Sequence, residues 1–140
     1  MRRILTIMLR WTIVVVYAGI IFYVSSLSQP LAQVGLPFSL PPGMDKLIHL
    51  GQYAVLCFLL CRAVDASMGG TQTPLSAAGY NALVICFLCT TLYALSDEIH
   101  QLFVPPRSCD GFDLAADAAG AAAIAMLWPI ATARFPFLRR

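Results

Sequence analysis

Apolar and polar positions in this chain segregate into long blocks instead of alternating. Trp11 to Leu27 is an uncharged run of 17 residues, and Ile4 to Leu9 extends it beyond Arg10. Leu47 to Cys61 is apolar apart from His49, Gln52 and Tyr53. Ala82 to Leu95 carries no charge, with Ala77 to Tyr80 before it, and Ala118 to Ile130 follows Asp113 and Asp117. A membrane span needs about 20 mostly apolar residues, and each block reaches that with its flanks. The pattern predicts an all-α, four-helix membrane bundle with helices over about 4–27, 46–64, 77–103 and 110–131, forming a single domain over 1–140.

Composition strengthens the membrane reading. Hydrophobic residues make up 59% of the 140 and charged residues 11%, against about 25% charged in soluble domains. The first block also resembles a cleaved signal sequence, with Arg2, Arg3 and Arg10 in front and small residues at Ser26 and Ser28. Its apolar stretch exceeds the roughly 7–15 residues of a signal core, so a retained helix is expected.

Charge then sets an orientation. Arg2, Arg3, Arg10, Arg62, Arg134, Arg139 and Arg140 fall at one end, and only Lys46 and Arg107 at the other. The positive-inside rule places the basic end, with both termini, in the cytoplasm. The net charge of +2 is explained by topology and gives no reason to expect nucleic acid. Six of the seven acidic residues, Asp45, Asp97, Glu98, Asp110, Asp113 and Asp117, gather at the outer end. Acidic residues contribute little to topology, so this gathering needs another cause.

Local signals fill in the connections. Pro30, Pro37, Pro41 and Pro42 predict an ordered or re-entrant outer loop between the first two helices. Asp45 and Asp110 stand at helix starts as candidate N-caps. The connection from Asp65 to Ser76 is short and turn-like, and Pro74 precedes the third helix. The third helix continues through Ser96–Phe103 until Pro105–Pro106 stops it. Of five cysteines, Cys57, Cys61, Cys86 and Cys89 fall in apolar helices and read as small hydrophobes, while Cys109 belongs to the outer loop.

Helical spacing sorts the polar residues into faces. Asp45, His49 and Tyr53 recur every fourth position, as do Asp113 and Asp117, and Asp97 shares a face with His100 and Gln101. In a bundle these stripes converge near the outer mouth. Carboxylates within a span are costly unless paired or hydrated. Lys46 and Arg107 are the only outer cations against six carboxylates. The cluster is under-neutralised, so it recruits protons, a metal ion or a cationic ligand, or else stands in water. The plainer readings are caps for Asp45 and Asp110, a snorkelling Lys46, a packing His49, and ion pairs clamping the third and fourth helices.

Three strings carry a resemblance: Asp45-Lys46-x-x-His49-x-x-x-Tyr53; Ser96-Asp97-Glu98-x-His100-Gln101-x-Phe103-x-Pro105-x-Arg107; and Asp110-x-x-Asp113-x-x-x-Asp117-x-x-Gly120. In order and spacing the chain resembles the VanZ-like family of small membrane proteins. Many relatives carry Asn where this chain has Asp117. The resemblance implies a four-helix protein of the bacterial cytoplasmic (inner) membrane and, from the founding case, a link to teicoplanin-type glycopeptide resistance. It supplies no reaction.

Three functions stay open. The first is a cell-envelope protein whose outer site binds a lipid-linked cell-wall precursor or phospholipid through Arg107, Asp97, Glu98, Gln101, Asp113, Asp117, Asp45, Lys46, His49 and Tyr53. The second is an enzyme on a phosphorylated lipid, with Asp97, Glu98, Asp113 and Asp117 as candidate metal ligands. Glu98, His49 and His100 are its candidate catalytic groups. The third is a proton- or ion-coupled transporter, which would need an oligomer. No cofactor is identified, and the lipid bilayer is the one partner the composition demands.

Overall fold

The computed structural model describes residues 1–28, 41, 43–69 and 76–139, the last without its side chain. Pro30, Pro37 and Pro42 of the expected outer loop, Pro74 of the inner turn, and Arg140 lie outside the described residues. Four helices follow one another: α1 (Arg2–Ser25), α2 (Met44–Ser67), α3 (Ala77–Gln101) and α4 (Gly111–Arg134). A short 3₁₀ helix, Pro136–Arg139, follows α4. The four α-helices have 24, 24, 25 and 24 residues. At about 1.5 Å per residue each spans about 36 Å, more than a hydrocarbon core of about 30 Å.

All four are long and apolar enough to cross a membrane. Leu5, Val15, Ile20, Leu92, Leu127 and Ile130 stand exposed, while carboxylates are buried. That inverts the usual soluble arrangement and suits lipid as the surrounding solvent.

Contacts between helices give the topology. Arg10 Nη1 donates to the Arg62 carbonyl at 2.7 Å, Trp11 Nε1 to Ser67 Oγ at 3.0 Å, and the Tyr17 hydroxyl to the Gln52 carbonyl at 3.3 Å. From Arg10 and Trp11 to Tyr17 the partners on α2 go from Arg62 and Ser67 back to Gln52, so the two run antiparallel. Lys46 meets Asp110, and His49 meets Asp117, so α2 and α4 run parallel. The chain goes up and down, and the beginning of α1 and the end of α4 share one end of the bundle.

α2 packs against each of the other three helices, most extensively against α4. One core joins Val14 and Ile21 of α1 to Tyr53 and Leu56 of α2 and Ala94 of α3. The other joins Cys57, Cys61, Leu83, Cys86, Ala121 and Trp128. Cys57, Cys61 and Cys86 are thus buried, Cys89 and Cys109 are exposed, and all five are free.

Two details differ from expectation. Gly43, at φ 82°, caps α2, and Asp45 falls inside its first turn without a capping bond. The left-handed φ at this entry is easy for glycine, and Asp45 still complements the positive end of the helix dipole. α3 ends at Gln101, before the prolines: Leu102, Phe103 and Val104 make tighter bonds to the carbonyls of Ile99, His100 and Gln101. That turn carries the chain round to Asp110.

Candidate functional site

Three helices deliver polar side chains to the end of the bundle opposite the start of α1. From α2 come Lys46, His49 and Tyr53; from α3 Asp97, Glu98 and Gln101; from α4 Asp113 and Asp117, with Asp110 at its N-cap. Asp97, Glu98, Gln101, Asp113, Asp117 and Tyr53 are all buried. Their convergence depends on a close approach of α2 and α4 at Gly120, which faces the backbone of Leu50 and Ala54.

Lys46 is spent on carboxylates. Its Nζ donates to Asp110 Oδ2 at 2.7 Å and to Asp113 Oδ1, and lies 3.2 Å from Asp45 Oδ2. Asp110 also caps α4 as expected, its Oδ1 accepting from the Phe112 N–H at 2.8 Å. Lys46 first, and then the Phe112 N–H, hold the Asp110 carboxyl below the usual aspartate range.

His49 serves the next turn of α4. Its Nδ1 lies 3.1 Å from Asp117 Oδ1, and its Nε2 lies 3.9 Å from Asp113 Oδ2. The third stripe is tied by Gln101, whose amide donates to Glu98 Oε1 at 3.2 Å and Asp97 Oδ2 at 3.4 Å. Helix geometry explains this. At about 100° per residue, Gln101 sits about 40° round from Asp97, between it and Glu98 at about 100°. Glu98 Oε2 accepts from the Asp110 N–H at 2.9 Å, joining the end of α3 to the start of α4.

The same geometry takes His100 away. It sits about 60° from Asp97 on the opposite side to Gln101. Its ring stacks on Phe22 at 4.5 Å between centroids, and its Nε2 lies 3.1 Å from Ser26 Oγ. His100 therefore joins α3 to α1 and is not beside the carboxylates, where an acid–base role would need it.

The candidate metal set also changes. One ligand atom each from His49, Glu98 and Asp117 lies within 4.8 Å of the others. Among the described residues Asp97 and Asp113 do not join that group, and Asp113 is bonded to Lys46 instead. Arg107 is half-buried on the loop between α3 and α4, with no ion pair among the described residues. Asp45 is half-exposed, 51% of its side chain being accessible.

Sequence spacing did not single out Asp110 as a site residue beyond its cap. The signal was its position three residues before Asp113, on the same face of the first turn.

The family model VanZ/LLP1 matches residues 4–132. The chain belongs to the VanZ/LLP1 family. The match covers all three polar strings and nearly the whole bundle, so the buried cluster is part of the VanZ/LLP1 domain. Comparison with curated proteins and with solved structures returned no match.

Proposed function

We propose that this VanZ/LLP1 protein lies in the bacterial cytoplasmic membrane with both termini in the cytoplasm, and that its outer mouth binds the phosphate of a lipid-linked cell-wall component. One observation carries this reading. Of the two outer cations, Lys46 is consumed by Asp45, Asp110 and Asp113, whereas Arg107 has no ion pair among the described residues. A guanidinium on the mouth loop is suited to fork a phosphate. Without a bound cation the buried carboxylates disfavour an anion deeper in the site, which favours the mouth. Binding of such a precursor would alter its access to glycopeptides, the connection with teicoplanin resistance that the family resemblance suggests.

The test is native mass spectrometry of gently extracted protein with a polyprenyl phosphate and phosphatidylglycerol as probes. A phosphate-dependent adduct in wild type, lost in Arg107→Ala at unchanged melting temperature, supports the reading. An adduct that survives Arg107→Ala undiminished removes it.

A second reading, catalysis on that phosphate, is favoured by the His49–Asp117 pair, since a carboxylate beside an imidazole suits acid–base work. Release of inorganic phosphate from the polyprenyl phosphate, lost in His49→Ala, would decide for it.

A further inference from the structure

We propose that His49, Glu98 and Asp117 bind one divalent transition-metal ion, of the zinc or manganese class, inside the bundle. The inference belongs to the same outer-end site but rests on residues other than Arg107, so the two readings fail separately.

Charge is the first argument. Asp97, Glu98 and Asp117 are 4%, 0% and 1% exposed. Lys46 is engaged with Asp45, Asp110 and Asp113. That leaves one imidazole, His49 beside Asp117, to set against three deeply buried carboxylates. Buried charge without compensation is strongly unfavourable, and one imidazolium offsets a third of it. A divalent ion bound by neutral His49 offsets two thirds.

Geometry is the second. The donor atoms lie within 4.8 Å of one another. Bonds of about 2.0–2.2 Å in a tetrahedral site set donors roughly 3.3–3.6 Å apart, so a small contraction closes the group. One nitrogen and two carboxylate oxygens suit zinc or manganese better than calcium or magnesium, which favour all-oxygen shells. Three protein ligands also leave a coordination position open.

Unmet hydrogen bonding is the third argument. The Tyr53 side chain is wholly buried, and its hydroxyl makes no well-formed hydrogen bond. Asp97 lies close enough to share a loose hydrogen bond with it, and Asp117 is also near. Asp117 Oδ2 and Asp97 Oδ1 are likewise buried and unpartnered. Buried polar atoms of this kind call for a water or an ion. An ion held by Asp117 would satisfy its Oδ2.

The experiment is metal analysis of protein extracted in mild detergent, stripped with EDTA and reloaded with Zn²⁺, Mn²⁺ or Co²⁺. Wild type should take up a single equivalent and show a saturating visible Co²⁺ band. His49→Ala, Glu98→Gln and Asp117→Asn should each weaken uptake at least about tenfold. Arg107→Ala should keep the metal while losing the phosphate probe. Because a variant of a buried residue can fail to fold, the wild-type Co²⁺ titration stands alone as a readout. No band and no stoichiometric metal in wild type would mean that protons neutralise the cluster, and the proposal falls. Uptake undiminished in all three folded variants places the ion elsewhere, and overturns it equally.

Discussion

Gly120 of α4 lies directly against the backbone carbonyl of Leu50 on α2. A methyl group added there would run into that oxygen, and would also lie 3.0 Å from the Leu50 carbonyl carbon and 3.1 Å from the Ala54 nitrogen. Backbone atoms of a packed helix cannot swing aside, so Gly120→Ala must push α2 and α4 apart. Small residues at such crossings let membrane helices approach closely. Overpacking of this kind costs about 1–3 kcal/mol. Gly120→Ala should therefore lower the melting temperature in detergent, whereas Gly51→Ala, with open space at its Cβ, should leave it nearly unchanged. Equal melting of the two variants would contradict the close approach.

Lys46 ties α2 to the first turn of α4. Lys46→Met leaves Asp45, Asp110 and Asp113 without their cation, Asp113 with only 13% of its side chain accessible. The expected loss is on the order of 1–3 kcal/mol. Asp113→Asn should hurt the wild type but relieve the Lys46→Met protein, because it removes the stranded charge. A double-mutant cycle on melting free energies reads this coupling. Simple additivity would show that the pair does not couple the helices.

Acid stability should report Asp110. Its carboxyl is held below the ordinary value by Lys46 and by the Phe112 N–H. A group depressed in the folded state stabilises above its unfolded value, about 3.9 for aspartate. That contribution is lost as pH falls through the folded value. The melting temperature of wild type should therefore hold its Asp110 contribution down to about pH 4 and lose it below. Asp110→Asn should start lower at neutral pH and show a shallower acid-side fall. Parallel acid limbs for the two proteins would refute the assignment.

The four spans were legible because charge is absent from the apolar blocks, and Asp110 was legible as a cap from its position before Gly111. Side-chain facing was harder to read. Steps of four residues drift about 40° each, so the stripe Asp45–His49–Tyr53 winds from a half-exposed carboxylate to a wholly buried tyrosine. Residues three and four after Asp97 likewise part by about 100°, which sends His100 to α1 and keeps Gln101 in the cluster. Spacing alone could not tell which of them meets a neighbouring helix. Nor could it pair Lys46 with Asp110 and Asp113, because that contact depends on the parallel approach of α2 and α4 at Gly120.

The proposed orientation has a direct test in Cys109. It is exposed on the loop between α3 and α4, whereas Cys57, Cys61 and Cys86 are buried. Cys89 is exposed too, but it lies in the middle of α3, on a surface that faces lipid in a membrane. Thiolate is the reactive form, and an apolar setting suppresses it. A membrane-impermeant maleimide applied to intact cells should therefore label Cys109 alone, and Cys109→Ser should abolish the signal. Labelling that appears only after the membrane is opened would put this loop in the cytoplasm and both termini outside. It would also move Arg107 and the carboxylate cluster to the inner leaflet, so the lipid-linked ligand would have to be sought on that side.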